Sequence, residues 1–165
     1  RGIRLTHPSA RDLYLATDAQ GQLGSYLATE DRWRAVRQLQ QKHRVVPVVG
    51  NLAGSKALRA IGKHLEETNR TVSVFYISNV EQYLYRDGIY AAFVANVRAL
   101  PAGPKSTLVR SRFGRGASMG AMSYGNGLTS QHAQSFERFL SLTAGADSSN
   151  YWGAISDSMP MPARP

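Results

Sequence analysis

Apolar and polar positions along the chain predict alternating strands and helices in its central part. Val45–Val49 and Thr71–Ser78 are β-prone runs with little polar alternation, which is typical of parallel strands covered on both faces. Apolar residues recur at helical spacing in Ala57–Leu65 and again in Ile89–Leu100, and Thr107–Arg110 reads as a third, short strand. The order β-α-β-α-β predicts an α/β fold, with parallel strands joined by right-handed crossovers and flanking helices.

The pattern also predicts which side chains form the core. Because Thr71–Ser78 lacks polar alternation, we expect Val74 and Tyr76 to be buried together with Phe93, between the sheet and a helix. Pro47 cannot donate a ladder hydrogen bond, so the strand at Val45–Val49 is expected to lie at an edge or to be irregular there.

Helix signals precede this central part. Ser9–Thr17 is a short mixed segment that we interpret as an opening helix. Thr29 is placed to cap a second helix, since Glu30 and Asp31 would lie in its first turn, where the helix dipole favours anions. Trp33, Val36 and Leu39 would mark one face of that helix.

The periodicity ends after Arg112. Phe113–Gly127 is rich in glycine, serine and methionine and is interpreted as a long loop. His132–Leu142 is predicted as a last amphipathic helix, and Ser156–Pro165, with three prolines, as an extended tail. We therefore divide the chain into an α/β region at 1–112 and a loop, short helix and tail at 113–165.

Composition limits the class of protein. With 165 residues, 42% hydrophobic and 19% charged, the chain fits one folded domain and is neither disordered nor fibrous. Its apolar runs are far shorter than the roughly 18 residues of a membrane span, so no membrane span is expected. The absence of cysteine excludes disulfides and thiolate sites and leaves the cellular compartment undecided.

The net charge of +9 comes from 20 Lys and Arg against 11 Asp and Glu. Such a balance indicates affinity for anions, but the arginines are scattered, whereas nucleic-acid-binding proteins usually concentrate them on one face. A solvated basic surface is therefore favoured, and nucleic acid stays open as a partner. The chain starts at Arg1 rather than at methionine, so we expect further sequence upstream.

The loop after the first predicted strand is the leading candidate site. Gly50, Asn51, Gly54 and Ser55 lie between a strand and a helix, where ligands bind in open α/β sheets and where free N–H groups attract anions. Lys56 would add a positive charge. The spacing matches neither the P-loop nor the G-x-G-x-x-G motif, so a plain glycine turn without a ligand is the alternative.

Two further groups follow the next predicted strands. Asn79 and Glu81 come directly after Thr71–Ser78 and could bind a ribose or an amine, although capping of a helix explains them equally well. Arg110 and Arg112 lie at the end of the third strand and are candidate anion-binding residues, with plain surface solvation as the alternative.

Other chemistry finds little support in the sequence. The four histidines, at positions 7, 43, 64 and 132, are widely spaced and form no metal-binding pair, so no metal site is predicted.

Several segments resemble a family of uncharacterised bacterial proteins. They are Val45-Val-Pro-Val-Val-Gly50, Lys56-Ala-Leu-Arg-Ala-Ile-Gly62 and, above all, Val74-Phe-Tyr-Ile-Ser-Asn-Val-Glu-Gln-Tyr-Leu84. That family is similar in fold to S-adenosylmethionine-dependent methyltransferases, which are Rossmann-like. The resemblance covers about two-thirds of the chain and implies a partly parallel sheet that forms the second half of a larger domain.

The resemblance also implies a ligand and a partner. S-adenosylmethionine is the expected cofactor of a complete domain, and the glycine loop for its methionine end would lie upstream. The chain has Asn51 where family members tend to carry Asp, and Ser55 where they carry Pro, so catalysis through position 51 is in doubt. We expect another chain or an upstream segment to complete the sheet. A non-catalytic binding or structural module is the alternative function.

Overall fold

A computed structural model describes residues 9–18, 20–113, 129–144 and 151–160. Within these ranges the fold is mixed α/β, with one mixed sheet and flanking helices. The elements are α1 (Ala10–Tyr14), α2 (Glu30–Gln41), α3 (Ala57–Glu67), β1 (Val72–Ser78), α4 (Val80–Arg86), α5 (Tyr90–Arg98), β2 (Ala102–Phe113), β3 (Thr129–Ser135), α6 (Phe136–Leu142), α7 (Tyr151–Ser156) and β4 (Met159–Pro160). The chain divides into two units, Arg1–Val48 with Ala163–Pro165, and Val49–Pro162.

The first unit contains α1 and α2, and both predicted helices are confirmed. Ser9 and Asp12 form a capping box at the start of α1, since each side chain accepts a hydrogen bond from the backbone of the other residue. The Thr29 hydroxyl accepts a hydrogen bond from the backbone N–H of Arg32 and caps α2 as expected. Local capping chemistry therefore sets where these helices begin.

The predicted strand at Val45–Val49 is wrong. These residues have no regular secondary structure, and the side chain of Val49 is completely exposed. A β-branched run becomes a strand only where a neighbouring strand accepts its ladder hydrogen bonds, and Pro47 removes one of the donors. The helix predicted after it is confirmed as α3, but no strand leads into the loop at Gly50.

The sheet occupies the second unit, in the order β1-β2-β3-β4. β1 and β2 are parallel and are joined through α4 and α5, so the second predicted β-α-β unit is confirmed. β2 has 12 residues, far more than the predicted strand at Thr107–Arg110, and pairs antiparallel with β3. β4 adds a short antiparallel edge beside β3. Among the described residues, β1 forms the opposite edge of the sheet.

One core lies between the sheet and helices of the second unit. Phe93 and Val97 of α5 are fully buried, which confirms the prediction for Phe93. The cluster joins residues of α3 to α7, of two strands and of the connection between α5 and β2: Leu58, Ile77, Leu84, Tyr90, Phe93, Val94, Val97, Leu100, Leu108, Phe136, Phe139, Tyr151, Ala154 and Ile155.

The other face of the sheet is open. Val74 and Tyr76 are 62% and 58% exposed, so the prediction that they are buried is wrong. Side chains alternate between the two faces of a strand, and Ile77 faces the core while its neighbour Tyr76 points away from it. β1 therefore places apolar side chains on both faces of the sheet, although the described elements cover only one face.

The carboxyl-terminal part differs from its prediction. The segment His132–Leu142, predicted as one helix, is strand up to Ser135 and helix from Phe136. The Ser135 hydroxyl accepts a hydrogen bond from the backbone N–H of Arg138, which fixes this boundary. Nearly all of the predicted loop Phe113–Gly127 and the last five residues of the predicted tail lie outside the described residues.

The helices in the described ranges are all too short or too polar to cross a membrane.

Candidate functional site

The Gly50–Gly54 loop is shaped by its own side chains. The Asn51 Oδ1 atom accepts a hydrogen bond from the backbone N–H of Ala53 at 2.9 Å, and the Gly54 N–H donates to the Asn51 carbonyl. A side chain at Gly50 would place its Cβ 2.5 Å from the Cβ of Ala57, so this close approach requires glycine. The Asn51 amide is therefore engaged in forming the turn that leads into α3.

Asn96 on α5 anchors this loop. Its Nδ2 atom donates to the carbonyl oxygens of Leu52 and Gly54, at 2.8 and 2.7 Å, and its Oδ1 accepts from Arg59 Nε at 3.1 Å. The side chain is buried and makes use of both ends of its amide. Sequence reasoning missed Asn96, although a polar residue on the apolar stripe of a helix was the available signal.

Ser55 and Lys56 are exposed at the start of α3. Lys56 holds the N-cap position but makes no capping hydrogen bond through its side chain. Because no strand precedes the loop, these residues do not lie at the carboxyl end of a strand, as the anion-site hypothesis required.

Ser78 and Asn79 form the tight junction between β1 and α4. Ser78 has a φ of +51°, a left-handed conformation that costs a residue with a Cβ about 1–2 kcal/mol. Asn79 is half-buried at the N-cap position of α4 but makes no capping hydrogen bond through its side chain. Both residues therefore stand at the carboxyl end of a parallel strand, as predicted from the sequence.

Glu81 and Arg110 meet inside the core. Glu81 lies in the first turn of α4 and Arg110 in β2, and their side chains are 2% and 0% exposed. Arg110 Nε is 3.2 Å from Glu81 Oε2, but neither atom has a directed hydrogen bond, so the contact is an electrostatic ion pair. Both side chains are therefore enclosed by protein and do not line an open cleft.

Neighbouring groups complete the pair. The Tyr90 hydroxyl donates to Glu81 Oε1 at 3.1 Å, and Arg110 Nη2 donates to Gln134 Oε1 at 3.0 Å. The Arg110 guanidinium also lies 5.2 Å from the centre of the Phe139 ring, within cation–π distance. Sequence reasoning missed Tyr90 and Gln134, since no local pattern indicates which chain segment will face a buried charge.

Burial dominates the electrostatics of this pair. Loss of hydration raises the pKa of the Glu81 carboxyl, while the Arg110 charge and the Tyr90 hydroxyl oppose that rise. Burial likewise raises the pKa of the Tyr90 hydroxyl, and the nearby Glu81 carboxylate adds to the effect. Tyr90 therefore acts as a neutral hydrogen-bond donor to Glu81.

The backbone of Arg112, the second arginine of the predicted anion site, pairs with Ser130 of β3. Arg112 follows Arg110 by two residues on the same long strand, so the two arginines do not mark the end of a short strand as expected.

Polar side chains also gather on the open face of the sheet. The hydroxyls of Ser111 and Ser78 and the amide of Gln131 lie beside the Tyr76 hydroxyl and, as hydrogen-bonding neighbours, lower its pKa below 10.0. Gln131 Nε2 donates to Ser111 Oγ at 2.8 Å. Tyr76, Ser78, Ser111 and Gln131 are called the open-face cluster below.

A comparison with protein-family models matches residues 8–157 to a domain of unknown function, DUF7790. The chain belongs to this family. A search of curated proteins finds no match. The DUF7790 match runs from before α1 to the end of α7 and continues through position 112, where the sequence analysis divided the chain.

The candidate site residues of this DUF7790 chain thus fall into three groups. The glycine loop is fastened to α5 by Asn96, and the Glu81–Arg110 pair is buried in the core. The open-face cluster lies near the carboxyl end of β1, and within it Tyr76 is exposed whereas Ser111 is buried. In the described ranges, His, Asp and Glu form no group of three that could hold a metal ion.

Proposed function

We propose that this chain forms the carboxyl-terminal half of a Rossmann-like, methyltransferase-like domain that binds S-adenosylmethionine or a related nucleoside when its sheet is complete. The observation that carries the proposal is the position of β1, an apolar strand at the sheet edge with Val74 and Tyr76 exposed. Such an edge favours pairing with a further strand.

The parallel pair β1–β2 supports this assignment. Parallel strands joined through helices are the building unit of Rossmann-like sheets, and an antiparallel strand at the edge of such a sheet is common. Ligands of these sheets bind beyond the carboxyl ends of the parallel strands, which is where Ser78 and Asn79 lie. An upstream segment or a second chain, paired along β1, would provide the opposite wall of the cleft.

Methyl transfer suits the residues of this region. It depends mainly on positioning the two reactants, so it requires few titratable side chains in the cleft. The polar groups near the end of β1 are the exposed hydroxyl of Tyr76 and the half-buried side chains of Ser78 and Asn79. These groups can orient a substrate by hydrogen bonds.

Titration calorimetry with S-adenosylmethionine tests the proposal on two proteins, this chain and a longer form that carries residues upstream of Arg1. We expect weak heat at best from this chain and saturable binding by the longer form. Light scattering provides a second readout, because an incomplete sheet should associate through β1. A longer form that does not bind, or a stable dilute monomer of this chain, would contradict the proposal.

A non-catalytic module with a basic surface is the second candidate. The burial of Glu81 and Arg110 favours it, because two of the residues predicted to contact a ligand are engaged in the core. With a net charge of +9, such a module would bind a polyanion through dispersed charges. Binding to a heparin column that weakens steeply with salt, without any binding of S-adenosylmethionine by the longer form, would select this candidate.

A further inference from the structure

The first unit has no core within its described residues. Every described side chain from position 9 to position 48 is exposed or half-buried. Large apolar side chains are among the exposed ones, and six of them are between 37% and 53% exposed: Leu13, Tyr14, Tyr26, Leu27, Trp33 and Leu39. An exposed apolar surface of this kind marks an interaction site, because a folded unit otherwise covers most of its large apolar groups.

α2, the longer of the two helices in this unit, is amphipathic. Trp33, Val36 and Leu39 recur at intervals of three residues and so share one face. Arg34 lies on the opposite face, where its guanidinium pairs with Glu30 at 3.0 Å. No residue of α2 is buried, so the described part of the chain leaves its apolar face uncovered. Such a helix is stabilised when this face leaves water.

Basic residues dominate the charge of the first unit. Positions 1–48 contain eight Lys and Arg residues against four Asp and Glu residues. Lys42 and Arg44 follow directly after α2, and both are exposed. The Arg37 guanidinium lies 5.2 Å from the centre of the Trp33 ring, so a cation adjoins the apolar face of the helix. Positive charge and exposed apolar side chains therefore occur together.

This combination selects among the classes of partner. A second copy of the chain would bring two basic units together, which like-charge repulsion disfavours. A nucleic acid supplies negative charge but no apolar phase for leucine side chains. A protein groove gains affinity from side chains that a core holds in a fixed arrangement, and the described part of this unit has no core. An anionic lipid bilayer accepts apolar side chains in any arrangement and also attracts arginine and lysine.

We infer that the first unit binds an anionic lipid surface, with the apolar face of α2 below the headgroups and Arg37, Lys42 and Arg44 among the phosphates. Tryptophan suits this depth of a bilayer, because its ring system is apolar while its N–H is polar. Arginine can lay its stem along apolar surface and keep its guanidinium in water, which agrees with the position of Arg37 beside Trp33. The inference does not depend on the proposed function, which concerns the second unit.

Tryptophan fluorescence with lipid vesicles tests the inference. The chain has two tryptophans, so Trp152→Phe leaves Trp33 as the reporter. We expect its emission to move to shorter wavelength, saturably, with vesicles of equal parts phosphatidylcholine and phosphatidylglycerol, and far less with phosphatidylcholine alone. Added salt should weaken the binding, because it screens the charges. In the same protein, Leu39→Glu should weaken binding about tenfold or more, because it removes an apolar side chain from the buried face.

Arg44→Gln should weaken binding about fivefold, the effect of removing one basic residue near an anionic membrane surface. Two exposed residues of the second unit provide matched controls. Met159→Glu places the same charge as Leu39→Glu on an exposed apolar residue, and Lys63→Gln removes one exposed positive charge, as Arg44→Gln does. Both controls should leave binding to the mixed vesicles unchanged.

Absence of a Trp33 shift with the mixed vesicles, equal binding to phosphatidylcholine alone, or undiminished binding by Leu39→Glu would overturn the inference. An equal shift with heparin would also overturn it and assign the surface to polyanions in general. Light scattering without lipid adds a further check, because association abolished by Leu39→Glu would assign α2 to a contact between copies instead. A longer form that carries residues upstream of Arg1 and fails to bind the vesicles would equally contradict the inference, since those residues would then cover the face.

Discussion

Removal of either partner of the Glu81–Arg110 pair should destabilise the fold, and the way that stability changes with pH should tell the two variants apart. Arg110→Met removes the cation and leaves the Glu81 carboxyl buried. Burial already raises the pKa of Glu81, and Arg110 opposes that rise, so the variant should raise the pKa further. Folding of Arg110→Met should therefore take up a proton. Glu81→Gln instead leaves the Arg110 guanidinium buried without its counter-ion.

The expected losses of stability follow from the burial of both side chains. Removal of one partner from a buried pair costs about 3–5 kcal/mol, so Glu81→Gln should lose about that much stability at alkaline pH, where Glu81 is ionised, and less as the pH falls. In Arg110→Met, the Glu81 carboxyl titrates near its ordinary pKa of 4.5 in the unfolded chain and at a higher pH in the folded chain. The contribution of Glu81 to the stability of the variant is therefore most favourable below pH 4.5. The variant loses up to about 1.4 kcal/mol for each pH unit as the pH rises toward the raised pKa.

Urea unfolding at several pH values, from mildly acidic to mildly alkaline, measures these effects. The double variant with Glu81→Gln and Arg110→Met should be more stable than Glu81→Gln alone and should lack the pH slope of Arg110→Met. Glu67→Gln is the control, because its pair with Lys63 is exposed and should contribute less than about 1 kcal/mol. A flat pH profile for Arg110→Met, or a loss below about 1 kcal/mol for Glu81→Gln, would refute the reasoning.

Three more predictions concern packing, the loop and a surface pair. Phe93→Ala should cost about 3–5 kcal/mol in urea unfolding because its side chain is fully buried, whereas Val74→Ala on the open face should cost less than about 1 kcal/mol. Asn96→Ala should cost about 1–3 kcal/mol by leaving loop carbonyls unpaired, and a smaller loss would contradict its anchoring role. The hydrogen bond from Arg138 lowers the pKa of Asp157, so this pair stabilises the fold above pH 3.8 and loses that effect as the pH falls further. Asp157→Asn should therefore remove this acid-dependent loss of stability.

Elements fixed by local signals were predictable from the sequence. The Thr29 cap gives the start of α2, and the helical stripe that contains Phe93 gives α5. The absence of a strand at Val45–Val49 could not be predicted, because the segment has the composition of a strand and its sequence does not show that no partner strand is available. The boundary at Ser135 was missed because a helical pattern and an alternating pattern overlap in His132–Leu142.

The candidate site was predictable only in part. Sequence position placed Glu81 at the end of a strand and in the first turn of a helix, and the structure agrees. Its partner Arg110 could not be assigned, because the pairing depends on how β2 aligns with β1. Tyr76 was expected in the core, since a strand without polar alternation does not reveal which of its faces is covered.

The distribution of charge in the second unit distinguishes the two candidate functions. Arg110 is neutralised by Glu81 within the core, and Arg138 is paired with Asp157 at 2.7 Å. The open-face cluster, in contrast, consists of neutral hydroxyls and an amide, and neutral groups discriminate ligands by matching donors and acceptors. Under the proposed function, a ligand held near the end of β1 is therefore selected by its pattern of hydrogen-bond donors and acceptors and not by its charge. Binding of S-adenosylmethionine by the longer form should accordingly depend little on salt, whereas binding of a polyanion to the dispersed basic surface should weaken steeply as salt is added.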